Sequence, residues 1–158
     1  MVDLRIIMRR WVTGVAIVTV EYNGIRHGAT VSSIASVSLE PPMVTLTLSK
    51  QSRTHQMIEQ ARLFGVTFLS HNQQPLSERF AGAISEEQDR FEGVKYFEIS
   101  DHIPVIEGGL AALGCRIVHE YAMTDSTLFV GEVISSQLGE DQPPLVYVNR
   151  TYKKLEEM

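Results

Sequence analysis

Hydrophobic and polar residues alternate along much of the chain, a period of two that is typical of half-buried β-strands. In the clearest run, Val44, Leu46 and Leu48 share one parity and polar residues separate them. Residues 15–20 are instead apolar at both parities, which predicts a central strand buried on both faces. Asn23-Gly24 follows as a strong hairpin signal. Further strands are predicted within residues 25–31, 64–69, 113–121, 127–134 and 145–148.

Short helices are predicted at the margins of these strands. Four apolar residues at helical spacing predict an amphipathic first helix, whose stripe should pack on the rest of the molecule. The stripe consists of Leu4, Ile7, Met8 and Trp11. Ser52 and Thr54 are good N-cap residues for a second helix, and Pro75 suits the first turn of a third that ends near Gly82. Antiparallel strands with marginal helices predict a β-barrel, and a doubly wound sheet is disfavoured because its glycine fingerprint is missing.

Residues 83–109 show little periodicity and are rich in charged residues, Gly and Pro. Long connections without secondary structure are uncommon inside compact domains, so this segment is a candidate lid or dimer contact. An ordinary surface loop is an equal alternative.

Length and charge narrow the class of protein. With 158 residues, the chain should form a single domain, residues 1–158. A net charge of −5 argues against a nucleic-acid partner. The sequence contains no apolar run of membrane-spanning length, and charges interrupt the N-terminal region where a signal peptide would be apolar. We therefore expect no membrane partner and a cytoplasmic protein.

The inventory of metal-binding and redox-active residues excludes several chemistries. Cys115 is the single cysteine, so no intrachain disulfide or dithiol can form, and its apolar neighbours predict a packing role. The five histidines show no metal-ligand spacing, and we expect no metal site. Any redox chemistry must therefore be carried by an organic cofactor.

The stretch that follows Val44 contains a candidate anion site. Its strand has one polar face, and Lys50 and Arg53 come directly before or at a helix start. Free backbone N–H groups at a helix N-terminus, with cations beside them, can bind a phosphate. The alternative is a solvated surface with no ligand.

Several short motifs, in order and at consistent spacing, resemble the short-chain flavin reductase family that serves two-component monooxygenases. The motifs are Thr30-Val31-Ser32-Ser33, Ser36-Val37-Ser38-Leu39, Pro41-Pro42, Lys50-Gln51-Ser52-Arg53-Thr54, Phe80-Ala81-Gly82, Asp89-Arg90-Phe91, residues 128–133 and residues 147–152. The resemblance implies a mainly β fold, a six-stranded Greek-key split barrel with short flanking helices that binds FMN or FAD as a homodimer. It further implies NADH or NADPH as co-substrate, and transfer of reduced flavin to a larger oxygenase, of the 4-hydroxyphenylacetate 3-monooxygenase type.

The resemblance also implies a set of site residues. The flavin contacts are Thr30, Val31, Ser32, Ser33, Ser49, Lys50, Ser52, Arg53, Thr54, Phe80, Ala81 and Arg90. The nicotinamide contacts are Ser126, Tyr147, Arg150 and Tyr152. No catalytic side chain is expected, since the flavin carries the chemistry. One departure from the family pattern is Ser126, which stands where many relatives have a histidine that faces the nicotinamide.

Alternatives remain for several of these residues and for the function. Residues 30–38 could be a polar strand edge and turn, Phe80 could be a core anchor, and Tyr147, Arg150 and Tyr152 could form a dimer rim. A flavin-bound electron carrier without turnover of free flavin is the second functional reading. A barrel that binds no flavin and serves protein contacts is the third.

Overall fold

The computed structural model describes residues 1–155 of the chain. The strands are β1 (Thr13–Gly14), β2 (Ala16–Tyr22), β3 (Ile25–Val31), β4 (Ala35–Leu39), β5 (Pro42–Ser49), β6 (Leu63–Phe68), β7 (Tyr96–Glu98), β8 (Pro104–Ile106), β9 (Ala111–Ala122), β10 (Ser126–Leu138), β11 (Leu145–Val148) and β12 (Thr151–Lys154). The helices are α1 (Leu4–Met8), α2 (Arg53–Ala61) and α3 (Gln74–Glu78), and a π-helical turn, Arg79–Ala83, continues α3. Within residues 1–155, no helix is long and apolar enough to cross a membrane.

The main sheet is antiparallel and contains seven strands in the order β3-β2-β6-β9-β10-β5-β4. The resemblance implied six strands. The two outer strands, β3 and β4, flank the short turn at residues 32–34, so the sheet is open beside the serine-rich segment. A smaller sheet, β1-β11-β12, and the hairpin β7-β8 complete the β-structure of the described residues.

The alternation of residues correctly predicted the core. In β5, Val44, Leu46 and Leu48 are buried, and β2 is buried on both faces as its apolar pattern predicted. The two faces of β2 serve different clusters, since Val18 packs inside the barrel and Ile17 packs against the π-helical turn and the C-terminal strands. Cys115 is fully buried in the barrel, and burial raises the pKa of its thiol to about 12. Its predicted packing role is confirmed.

The expectation that the stripe of α1 packs on the rest of the molecule is wrong for the isolated chain. Leu4, Ile7, Met8 and Trp11 are 67%, 52%, 51% and 67% exposed. The helix has five residues and no buried side chain. Helical periodicity identified the apolar face, but it carries no information about what covers that face. A contiguous exposed apolar surface is typical of an interaction site.

The segment 83–109 is not a surface loop throughout, and its role as a lid or dimer contact stays a prediction. It contains β7 and β8, and Ile103, Val105 and Ile106 are buried to within 2% of full burial. Gly65 makes this packing possible, because a Cβ there would lie 2.4 Å from the Pro104 carbonyl oxygen. Strands of three residues are too short to show a period, and a contact set by a glycine on another strand leaves no local signal.

Candidate functional site

The start of α2 is fixed by its own N-cap and by a buried pair of side chains. Ser52 is the N-cap, as predicted, and its Oγ accepts a hydrogen bond of 3.0 Å from the His55 backbone N–H. Thr54 is buried, and its hydroxyl lies 2.8 Å from Nδ1 of His27 on β3. This pair joins the first turn of α2 to an outer strand of the sheet.

Two cations flank this helix start. The Arg53 Nη1 donates to the Glu86 carbonyl oxygen at 2.8 Å, and the Lys50 Nζ donates to the Met123 carbonyl oxygen. The Lys50 backbone N–H also donates to the Asp125 carbonyl at 3.0 Å, which ties the end of β5 to the β9–β10 turn. Both side chains are half-buried, so they are held beside the helix start rather than spread into solvent.

His27 reports the electrostatics of this region. Burial first, and then the nearby positive charges of Arg90 and Arg53, lower the pKa of its imidazole to about 4, although the Glu86 carboxylate acts in the opposite direction. The ring is 1% exposed, and its Nε2 has no hydrogen-bond partner among the described residues. His27 is therefore neutral at neutral pH, and its surroundings contain the two guanidinium groups of Arg53 and Arg90 together with the carboxylate of Glu86.

The end of β3 is linked through α3 to the C-terminal strand β12. The Thr30 hydroxyl donates to the Ser77 carbonyl oxygen at 2.6 Å, and the Ser77 hydroxyl lies 2.7 Å from the Tyr152 hydroxyl. The rings of Tyr147 and Tyr152 pack with their centroids 5.2 Å apart. The predicted flavin segment and most of the predicted nicotinamide residues therefore lie side by side.

A cavity of about 480 Å³ lies between the N-terminal segment, Ser32–Ser33 and the residues that follow Tyr147. Four predicted site residues line it: Ser32, Ser33, Tyr147 and Arg150. Sequence reasoning missed the contribution of α1 and the residues after it: Arg5, Met8, Arg9 and Trp11. The Asn149 backbone N–H donates to the Arg9 carbonyl at 2.8 Å and holds this segment at the cavity. The cations and the tryptophan in this segment were the available signal, but their amphipathic pattern was assigned to packing.

Phe80 and Arg90 lie behind the site rather than in it. Phe80 is 1% exposed and Arg90 is 4% exposed. The Arg90 guanidinium donates to the carbonyls of Gly28, Phe80 and Ile84 at 2.9, 3.1 and 3.1 Å, and burial lowers its pKa. Both residues support β3, and the core-anchor alternative for Phe80 fits its position, while their direct flavin contact stays a prediction. Ala81 is exposed.

The remaining predicted residues lie along β5 and at its end. The Ser33 hydroxyl donates to the Thr47 carbonyl at 3.0 Å, which places the serine turn against the polar face of β5. Ser126 pairs with Ser49, at the start of β10. It therefore lies at the end of β5 that leads to Lys50, and it is not among the residues that line the cavity with Tyr147 and Arg150. Val31 is half-buried at the end of β3.

An open antiparallel barrel, with polar strand ends beside a cationic helix start, is the architecture that the resemblance to flavin reductases implied. The chain belongs to the flavin reductase-like domain family, whose model matches residues 8–156. The predicted family and the mainly β split-barrel fold are confirmed, and the class is that of oxidoreductases.

Individual relatives cover nearly the whole chain. The reductase component of 4-hydroxyphenylacetate 3-monooxygenase from Thermus thermophilus is 34% identical over 148 residues, which are 94% of this chain and 92% of the relative. An NADH-dependent flavin reductase from Rhodococcus is 35% identical and shares 97% of this chain and 85% of its own. The structure of the Streptomyces globisporus NADH:FAD oxidoreductase SgcE6, in complex with NAD and FAD fragments, superposes with a TM-score of 0.90 at 29% identity, over 99% and 96% of the two chains.

Proposed function

We propose that this protein reduces FMN, or FAD as second choice, with NADH or NADPH, and releases the reduced flavin to a partner monooxygenase. The observation that carries the proposal is a capped, cation-flanked helix start tied to β3, together with a cavity that Ser32, Ser33, Tyr147 and Arg150 line. An anionic tail and a flat ring would each find suitable groups there. The names of the relatives support the choice of a flavin and a nicotinamide dinucleotide.

The residues divide by the part of the ligand that they suit. The first turn of α2, with Ser52 as N-cap, offers backbone N–H groups to the flavin phosphate, and Arg53 and Lys50 add positive charge. Thr30–Ser33 and Ser49 offer small polar groups at the strand ends, where a planar ring can approach the backbone closely. When bound, flavin supplies the redox chemistry by accepting a hydride from the reduced nicotinamide.

The protein itself then has to bind both cofactors, orient their rings and exclude water. The cavity beside Tyr147 and Arg150 is the proposed place of the dinucleotide, whose phosphates the Arg150 guanidinium suits. Holding the two rings at a near-attack distance is a large part of the rate enhancement that such a site must provide. No side chain has to act as general acid or base in the hydride step, which agrees with a site rich in serine, threonine and tyrosine.

We further propose that the functional unit is a homodimer. The stripe of α1, exposed in the single chain, lies next to the cavity at Met8 and Trp11. A symmetric partner is the common way to cover such a face and the open edges of a small barrel. In this arrangement, dimer formation would enclose the dinucleotide side of the site.

The partner oxygenase is proposed by analogy with the relatives. One of them is the reductase component of 4-hydroxyphenylacetate 3-monooxygenase, and an oxygenase of that type is the first candidate. The serine-rich turn carries no cysteine for covalent attachment of flavin, which is compatible with exchange of the cofactor at every turnover.

The deciding experiment is steady-state oxidation of NADH at catalytic protein concentration with excess free FMN. We expect many equivalents of NADH to be consumed per protein chain. A single stoichiometric bleaching of bound flavin would support the electron-carrier alternative. If neither FMN nor FAD changes its fluorescence on addition of micromolar protein, the flavin site is wrong and a barrel for protein contacts gains support.

A further inference from the structure

We propose that Glu86 is an internal competitor for the flavin phosphate, a residue that sets flavin affinity by occupying the start of α2 in the ligand-free chain. The proposal rests on the proposed flavin site. Both carboxylate oxygens of Glu86 face the Arg53 backbone N–H, at distances of 3.3 and 3.4 Å. The side chain therefore brings a negative charge to the N–H groups that would receive a phosphate.

The position of Glu86 follows from charge. The N-terminus of a helix carries a partial positive charge, and the guanidinium group of Arg53 lies beside it. That guanidinium holds the Glu86 carbonyl oxygen at 2.8 Å, so it keeps the residue over the helix start. Glu86 is half-buried, whereas the neighbouring Glu87 is exposed. Of these two glutamates, only Glu86 is placed against the start of α2.

The contact is suited to displacement because it is loose. Hydrogen bonds from backbone N–H groups to oxygen are commonly about 2.7–3.2 Å long, and both distances to Glu86 exceed that range. A phosphate has more negative charge and more acceptor oxygens than a carboxylate. The N–H groups at the start of α2 are therefore occupied by a carboxylate that a phosphate can replace.

The chain around Glu86 allows this replacement without disturbing the core. Residues 85–89 lie outside any helix or strand, with turns and a bend at residues 86–88, and all except Glu86 are exposed. Both ends are anchored: the buried Arg90 side chain binds the Ile84 carbonyl at 3.1 Å, and the Phe91 ring is buried in the core. A short segment between two fixed ends can move aside while the barrel stays unchanged.

The consequence is a moderated grip on the flavin. When Glu86 occupies the start of α2 for part of the time, the apparent dissociation constant for FMN is the intrinsic constant divided by the fraction of chains in which Glu86 has moved away. Such competition helps a reductase that must release its product. It acts on the phosphate, so riboflavin, which lacks the phosphate, should be insensitive to it.

The test compares Glu86→Gln with the matched control Glu87→Gln. Glutamine keeps the size and an acceptor oxygen, and both variants remove one negative charge from the same loop. We titrate each ligand-free protein with FMN and with riboflavin and follow flavin fluorescence. Glu86→Gln should bind FMN about three- to tenfold more tightly and bind riboflavin as wild type does. Glu87→Gln should match wild type for both ligands.

Hydrogen exchange provides a readout that needs no turnover. Addition of FMN to wild type should accelerate amide exchange in residues 85–88 and slow it at Arg53. Glu86→Ala serves as a second variant with the same expected direction of FMN affinity if Glu86→Gln folds poorly.

The outcomes separate this inference from the proposed function. Flavin binding with FMN affinity unchanged or weakened in Glu86→Gln, or equal tightening in Glu86→Gln and Glu87→Gln, overturns the role of Glu86 and leaves the flavin site intact. Slower exchange of residues 85–88 on FMN binding also overturns it. If no variant binds FMN or riboflavin, the flavin site fails and this inference fails with it.

Discussion

Acid should destabilise this protein through His27, whose ring projects from β3 and is buried against Thr54 of α2. Its pKa is lowered from 6.5 to about 4, first by burial and then by the charges of Arg90 and Arg53. The unfolded chain therefore binds a proton at a pH where the folded chain does not. Stability from this group is fully present above about pH 6.5 and is lost as the pH falls to about 4.

The size of the effect follows from the shift. One pKa unit corresponds to about 1.4 kcal/mol. The shift from 6.5 to about 4 therefore corresponds to at most about 3 kcal/mol of unfolding free energy. That is a large share of the marginal stability of a small domain, which is about 5–15 kcal/mol. A single buried histidine should thus be visible in a pH series.

The assay is urea unfolding of wild type and His27→Asn at several pH values between 7.5 and 4.5, at one fixed protein concentration. Asparagine removes the titration and can still bond to Thr54. The stability advantage of wild type over His27→Asn should shrink steadily as the pH falls. His119→Asn is the control, because His119 is exposed on β9, and it should parallel wild type. If the wild-type and His27→Asn curves stay parallel over this range, the burial argument for His27 is wrong.

Two further predictions concern the phosphate seat and the dimer. Arg53→Ala should weaken FMN about five- to thirtyfold and leave riboflavin nearly unchanged, since a half-exposed charge-assisted bond is worth about 1–2 kcal/mol. Fluorescence titration measures both, Arg62→Ala at the other end of α2 is the control, and equal losses for the two flavins would contradict the assignment. Trp11→Glu should halve the mass seen by light scattering, because it places a charge in the proposed interface; a monomeric wild type would refute the dimer.

The strands of the barrel were predictable because their signal is local. Alternation in β5 and the doubly apolar run in β2 each reflect burial that every residue of the strand shares. The start of α2 was predictable for the same reason, since capping is decided by Ser52 and its immediate neighbours. The serine turn and the tyrosine tail required the family resemblance, because their meeting depends on pairing between distant strands.

The features that escaped prediction are set by contacts between distant segments. Glu86 contacts Arg53, which lies 33 positions away in the sequence, and no local pattern near either residue predicts this contact. Arg90 was placed in the site because its motif is shared, and nothing near it in the sequence shows that its Nη1 binds the carbonyls of Gly28 and Phe80. The exposure of α1 was unpredictable from one chain, because amphipathicity is the same whether a helix packs on its own core or on a partner.

The hydrogen-bond chain from Thr30 through Ser77 to Tyr152 has a consequence for the order of folding. β1 pairs with β11, with Thr13 opposite Tyr147, and this pairing closes a loop of more than a hundred residues. The seven-strand sheet can form before this closure, but the cavity cannot exist until β11 and β12 have docked. During synthesis, the barrel can therefore fold before the cavity exists, and the wall formed by Tyr147 and Arg150 is added only after the last strands have emerged.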